Sequence, residues 1–205
     1  MERTPEELKK EYDNYYLKNP HKWGGNSGDI RDRLAAEAIL RFIDTPTEIL
    51  DIGCGNGHTL AYLEKRFKDS PLYGLDLSGE ALKLAGQRVP KANLTEATLL
   101  DYKPKKKFQV IVSLGVLEHF ENIHENLEKI KSLMKKESLF YVELPNNLVY
   151  SKGDHSYRRL ETGSKQVEWH LDRKEWEKHF KEAEFEVMKF IGNPQPQWGM
   201  SWVLV

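Results

Sequence analysis

The stretch Glu48-Ile49-Leu50-Asp51-Ile52-Gly53-Cys54-Gly55-Asn56-Gly57-His58 decides the fold of this chain. Glu48 to Ile52 is a short apolar strand. It runs straight into three alternating glycines, and a helical pattern resumes at Thr59 and continues to Phe67. Glycine permits backbone angles that other residues avoid and lets a ligand approach the main chain closely. The first N–H groups of the following helix point into the same space.

Outward from this turn the chain alternates strand and helix. Residues 71–76 read as a second strand, and Ser78 caps a helix to about Val89 with Glu80 in its first turn. Asn93 to Thr98 is a third strand. Phe108-Gln109-Val110-Ile111-Val112-Ser113 is a fourth, apolar enough to be buried on both faces. Asn122 to Met134 is helical, Ser138 to Leu144 a fifth strand, and Arg173 to Ala183 a helix. Strands at 185–191 and 201–205 follow, too close in sequence for a helical crossover, so an antiparallel pair is expected. On the N-terminal side, Thr4-Pro5-Glu6-Glu7 starts a helix over residues 4–18, and a second helix is expected over 30–43, with Ile30, Leu34, Ala38 and Phe42 on one face. Residues 145–171 show no strong period and read as irregular. The expected architecture is α/β: a doubly wound, Rossmann-like sheet, mostly parallel, with helices on both faces.

In such a sheet a nucleotide-like ligand binds beyond the carboxyl ends of the strands. Two cofactor classes use a glycine turn there, and spacing separates them. The dinucleotide fingerprint needs Gly-x-Gly-x-x-Gly/Ala, and His58 occupies its last position. The observed pattern is Gly53-x-Gly55-x-Gly57 behind Asp51. A carboxylate at this place suits the amino group of S-adenosylmethionine and repels a pyrophosphate. Asp76, about 20 residues past the turn, stands where an acid accepts the ribose hydroxyls. Asp101 and Tyr102 after the third strand are candidates for the adenine. Ser113 and Leu114 sit at the mouth of the fourth.

With these elements in register, the chain resembles the class I S-adenosylmethionine-dependent methyltransferases, and among them the small-molecule branch that includes the quinone-biosynthesis methyltransferases. The residues that carry the likeness are Leu50 to Gly57, Gly74-Leu75-Asp76-Leu77-Ser78, Asp101, and Val116-Leu117-Glu118-His119-Phe120. The likeness covers about residues 45–145 and continues weakly to the C-terminus. It implies a seven-stranded sheet with only the last strand antiparallel. It implies that Asp51, Gly53, Gly55 and Gly57 hold the methionine part, Asp76 and Leu77 the ribose, Asp101 and Tyr102 the adenine, with Ser113 and Leu114 on the far side. One departure stands at Ala183-Glu184-Phe185, where many members carry glycine before the aromatic. It bears on the geometry of that helix-to-strand turn and not on the cofactor.

The reading of the remaining residues is plainer. His119 is the candidate general base, weighed against a structural role in its loop. Cys54, the one cysteine, reads as a small spacer and not a nucleophile, since no activating neighbour is evident. The run Lys103 to Lys107 reads as a solvated loop. Tyr12, Tyr15, Tyr16 and Trp23 offer an aromatic lid over the cofactor. Tyr16, Trp23, His155, Tyr157 and Arg158 are candidate acceptor contacts, with His170 and Glu143 as further polar candidates.

The chain has 205 residues and a formal net charge of -1. That lacks the basic excess of a chain that grips a long nucleic acid. No stretch approaches the roughly 18 apolar residues of a membrane span, the N-terminus is polar, and a cytoplasmic location is the default expectation. No metal cluster is expected. One domain is expected over 1–205: N-terminal helices and lid at 1–45, a cofactor core at 46–145, an acceptor-shaping insertion at 146–172, and a C-terminal helix and strand pair at 173–205. The expected function is methyl transfer from S-adenosylmethionine to a small-molecule acceptor. RNA or protein methylation, and a non-catalytic cofactor-binding protein on the same fold, are the competing readings. The oligomeric state is left open.

Overall fold

A computed structural model describes residues 4–20, 26–145, 159–161, 167–169, 171–192 and 199–205. The expected alternation of strands and helices forms, with ends displaced by a few residues. The strands are β1 (Ile49–Ile52), β2 (Leu72–Asp76), β3 (Asn93–Glu96), β4 (Phe108–Leu114), β5 (Met134–Leu144), β6 (Arg159–Glu161), β7 (Val167–Trp169), β8 (Val187–Gly192) and β9 (Met200–Leu204). The helices are α1 (Pro5–Lys18), α2 (Asn26–Leu40), α3 (His58–Arg66), α4 (Gly79–Arg88), α5 (Ile123–Leu133) and α6 (Arg173–Glu182), with a 3₁₀ turn at Leu117–His119.

Seven strands form one sheet in the order β3-β2-β1-β4-β5-β9-β8. The pairs among β1 to β5 are parallel, and β9 runs antiparallel to both β5 and β8. The strand order reverses between β1 and β4, so the helices that follow these two strands leave on opposite faces. A crevice opens there beyond the carboxyl ends.

Period-two alternation divides the core. Leu50, Ile111, Phe140 and Val142 face α5 and α6, and pack with Leu127, Ile130, Trp176 and Phe180. Ile49, Val110, Val112 and Tyr141 face α2 and α3, and pack with Ala35, Ile39, Leu60 and Leu63. By the same alternation Asp51 and Glu143 project toward the face that α2 covers. The α6 face is aromatic: Trp176 stacks on Phe180, and Phe180 meets Trp202 edge-on with ring centres 5.4 Å apart.

Three local expectations need correction. The second helix runs from Asn26 to Leu40 and not from 30 to 43; a turn in which the Phe42 amide bonds the Ile39 carbonyl ends it, and Phe42 is exposed. Strand β5 begins at Met134, opposite Phe108, and after an irregularity around Glu137, at φ 59°, it rejoins β4 with Leu139 opposite Val110. The stretch expected to be irregular contains the antiparallel pair β6–β7. Three-residue strands are too short to carry a readable period.

The turn before Phe185 departs as its sequence suggested. Glu184 takes φ 58°, the left-handed region that favours glycine. Lys131 Nζ braces this turn through the carbonyls of Ala183 and Glu184.

Candidate functional site

A cavity of about 690 Å³ opens at the crevice. That volume lies within the range of small-molecule sites. Its floor is the glycine turn. Gly53 and Gly55 adopt φ 70° and 53°, and their backbones are crowded as well. A Cβ on Gly53 would stand 2.4 Å from Val116 Cγ2, and one on Gly55 would stand 2.6 Å from the Tyr16 hydroxyl. The turn is tied to β2 by the Gly53 and Cys54 amides, which both donate to the Leu75 carbonyl.

Asp76 ends β2 and lines the cavity. Its carboxylate accepts from the Gly55 amide and the Ser78 amide, each at 2.8 Å. Burial pushes its pKa up, while hydrogen bonds from the Ser78, Gly55 and Leu77 amides work the other way. Asp76 therefore fastens the glycine turn to the start of α4 and faces the cavity from that position. Leu77 and Leu114 also line the wall, as do Ala97, Thr98, Leu99 and Leu100 after β3.

Helix α1 closes one side. Its capping box, in which Thr4 and Glu7 bond each other's amides, starts it cleanly. Tyr12, Tyr15 and Tyr16 reach the cavity. Tyr16 is buried, and its phenol is pushed well above the usual range by burial and by Asp76. Tyr16 thus sits over the glycine turn. Trp23, His155, Tyr157, Arg158 and His170 lie outside the described residues.

Several expected site residues stand off the cavity wall. Asp51 is buried behind the turn, on the α2 face of β1; burial, with Asp32 and Asp76, raises its pKa well above the usual range, against Arg31. Its Oδ2 has no hydrogen-bond partner. Gly57, at φ 79°, is the position where α3 meets α4, since a Cβ there would stand 3.0 Å from the Ala85 backbone. Asp101 is exposed and bonded to Thr98 Oγ1 at 2.7 Å. The turn that places Thr98 on the wall directs Asp101 to solvent. Tyr102 is a core residue stacked near Phe108, and Ser113 is buried within β4. Cys54 lines the cavity, but burial, with Asp51 and Asp76, pushes its thiol well up, so it is a poor nucleophile. Lys106 covers the Tyr73 ring, in the loop expected to be solvated.

The opposite end of the cavity lies beyond β4 and β5. The 3₁₀ turn brings Glu118 and His119 to the wall, and Glu121, Glu125 and Glu143 complete it with Arg31 from α2. Trp169 Nε1 donates to the Phe120 carbonyl at 3.0 Å and docks the β6–β7 pair on this turn. Arg31 Nε stands 2.5 Å from Glu143 Oε1. Burial raises the Glu143 pKa to about 7, with Glu118 and Asp32 adding to the rise and Arg31 opposing it.

A family model described as a methyltransferase domain matches residues 28–189, most of the chain. The chain belongs to the methyltransferase-domain family. Among curated relatives, trans-aconitate 2-methyltransferase of Enterobacter sp. (strain 638) is 31% identical over 122 residues, 59% of this chain and 48% of its own length. The same enzyme of Methylobacterium radiotolerans is 30% identical over 121 residues, 58% of this chain and 46% of its own. The chain spans about half the length of the curated relatives it matches. Among solved structures, Burkholderia thailandensis 1,6-didemethyltoxoflavin-N1-methyltransferase, bound to its substrate and S-adenosylhomocysteine, superposes with TM-score 0.74 at 17% identity. The match covers 100% of this chain and 89% of that one. The plantazolicin methyltransferase BpumL with S-adenosylhomocysteine gives 0.73 at 21%, covering 98% and 96%. These likenesses establish the shared fold.

In this methyltransferase domain the cavity residues to which sequence reasoning gave no site role include Arg31, Thr98 and Val116. Arg31 carries no motif, since it belongs to an ordinary helical face. Thr98 was masked by the acid three residues on, a more conspicuous candidate. Val116 could have been found as the bulky neighbour that Gly53 needs room for. Among the described residues, no helix is long and apolar enough to cross a membrane.

Proposed function

We propose that this chain binds S-adenosylmethionine in the cavity and transfers its methyl group to a small-molecule acceptor by direct displacement. The observation that carries the reading is the Gly53–Gly55 turn fastened to Asp76, which offers a bare backbone and a carboxylate to one ligand. The residues present suit this cofactor: the floor admits no side chain at Gly53 or Gly55, and Asp76 faces the cavity as an acceptor for hydroxyls. Bound there, S-adenosylmethionine supplies a methyl group already activated on a sulfonium.

The chain's own residues supply placement. Gly53, Gly55 and Leu77 set the depth of the cofactor, Asp76 takes its ribose, and the 97–100 segment flanks its base. Tyr16 covers the glycine turn and keeps water from it. Asp51 acts from behind the turn as a buried carboxyl group on the α2 face of β1. His119, beside the opposite end, stays a candidate base or loop anchor. Alignment of nucleophile, carbon and sulfur supplies up to about 7–11 kcal/mol of barrier reduction. In the same reading residues 1–45 close over the cofactor, 146–172 shape the acceptor end, with Trp23, His155, Tyr157 and Arg158 as its contacts, and the enzyme works in the cytoplasm. The relatives are named for a small-molecule substrate, which favours this acceptor class over RNA or protein.

Calorimetric titration with S-adenosylmethionine and S-adenosylhomocysteine, with NAD as control and Asp76→Ala alongside, tests it. Binding of the first two, weakened in the variant, is the expected result. Binding of NAD instead, or of neither adenosyl compound, overturns it.

A further inference from the structure

The end of the cavity beyond β4 and β5 is, among the described residues, short of positive charge. Among the described residues, Glu118, Glu121, Glu125 and Glu143 line it, and Arg31 is its one cation of fixed charge. Arg31 is already committed. Its Nε stands 2.5 Å from Glu143 Oε1, and its Nη2 lies 3.0 Å from where a Cβ on Gly115 would be, a point only 3.4 Å from Glu118 Oε1. The same guanidinium also faces buried Asp51. A second and independent feature points to a ligand. Glu143 is 1% exposed, lines the cavity, and its Oε2 has no hydrogen-bond partner. A buried carboxylate oxygen left without a donor is costly unless something in the cavity supplies one.

Resting on the methyl-transfer reading above, we propose that the acceptor is an amine, held with its nitrogen against Glu143 Oε2. An ammonium supplies the N–H donor that Glu143 Oε2 lacks, together with a positive charge. A polycarboxylate would meet like charges in a buried site, with Arg31 already engaged. The step balances simply. One N–H proton passes from the ammonium to Glu143 Oε2. The freed nitrogen lone pair forms the N–CH₃ bond, and the S–CH₃ bond breaks with its electron pair to sulfur, leaving neutral S-adenosylhomocysteine. Glu143 then returns its proton to solvent. A carboxyl group that titrates near neutrality is poised for such a transfer. Arg31 is the positioning residue that holds Oε1 and leaves Oε2 to the ligand.

The experiment uses the full chain and radiolabelled S-adenosylmethionine. Tyramine, putrescine and glucosamine are offered as amines, 4-methylcatechol as a phenol, and trans-aconitate and citrate as carboxylates. S-adenosylhomocysteine binding is measured in parallel, and Glu143→Gln is compared with the wild type. The expected result is label in an N-methyl product, a loss of roughly 100-fold or more in amine turnover in Glu143→Gln, and a cofactor affinity changed by no more than about twofold. Label in the carboxylates or the phenol alone overturns the proposal, as does a chain that binds S-adenosylhomocysteine yet methylates none of the amines. If Glu143→Gln does not fold, the wild-type acceptor panel still decides. Failure to bind S-adenosylhomocysteine is a different result, since it removes the methyl-transfer reading itself.

Discussion

Ser78 Oγ donates to Asp13 Oδ1 at 2.6 Å, and that bond ties the first helix of the chain to the start of α4. The Glu80 amide donates to the same oxygen at 3.2 Å, and Lys9 bridges Asp13 and Glu96. Helix α1 is thereby clamped at the point where its tyrosines meet the cavity.

Asp13→Ala is expected to cost about 1–2 kcal/mol of stability and to weaken S-adenosylhomocysteine binding roughly tenfold, because Tyr12 and Tyr16 lose their anchorage. Burial of Asp13 disfavours its charge, but the bonds from Lys9, Ser78 and Glu80 outweigh this and lower its pKa below 3.8. A depressed carboxyl stabilises above the unfolded pKa, so this contribution holds at neutral pH and fades as pH falls below about 4. Urea unfolding and calorimetry check both effects. An unchanged affinity would show that α1 is not part of the binding wall.

Gly55→Ala and Tyr16→Phe should be strongly coupled. The Cβ of alanine would stand 2.6 Å from the Tyr16 hydroxyl but 3.5 Å from its Cζ. Alone, Gly55→Ala is expected to cost about 2 kcal/mol or more, from the left-handed backbone and the clash together. With Tyr16→Phe, about 1 kcal/mol of that returns. Additive costs in the double-mutant cycle would mean that the tyrosine moves aside freely.

Asp76→Ala and Asp101→Ala separate the two acids. The first removes the acceptor of two backbone amides on the cavity floor, so S-adenosylhomocysteine affinity should drop by about 30-fold or more. The second removes an exposed turn contact with Thr98, and affinity should stay within about twofold. Equal losses would place Asp101 at the ligand after all.

Glu184→Gly should stabilise the domain by about 0.5–1 kcal/mol, since Glu184 holds φ 58°. The ion pair lost to Lys131 spans 3.6 Å with Glu184 87% exposed, and such surface pairs are weak. Thermal unfolding reads the change, and Glu184→Ala, which keeps the strain, should show no gain.

Glu143 gives the domain a pH signature near neutrality. Its folded pKa is raised from 4.5 to about 7. A raised carboxyl favours the folded state most below its unfolded pKa, and that contribution is lost as pH rises through about 7. The wild type should therefore lose stability relative to Glu143→Gln between pH 5 and pH 8, by roughly 3 kcal/mol at most. Urea titrations of both proteins across that window check the sign; a gap that widens in favour of the wild type would contradict it.

The amino-acid sequence alone determined the order of strands and helices apart from the β6–β7 pair, the glycine turn between β1 and α3, the antiparallel end of the sheet, and the family. These rest on local physics: runs of apolar residues, capping residues such as Ser78 and Thr4, and glycine where other residues are strained. The odd turn at Glu184 was legible too, through the family likeness, which expects glycine before the aromatic. Only the tertiary structure decided which side chains line the cavity. Asp51 and Asp101 were chosen as acids near the right strands, yet one is turned toward α2 by strand alternation and the other toward solvent by the Thr98 turn. Arg31 lies far in sequence from Glu143 and meets it only because α2 packs over the face of the sheet from which Glu143 projects. Direction and long-range proximity come from packing, and no local pattern encodes them.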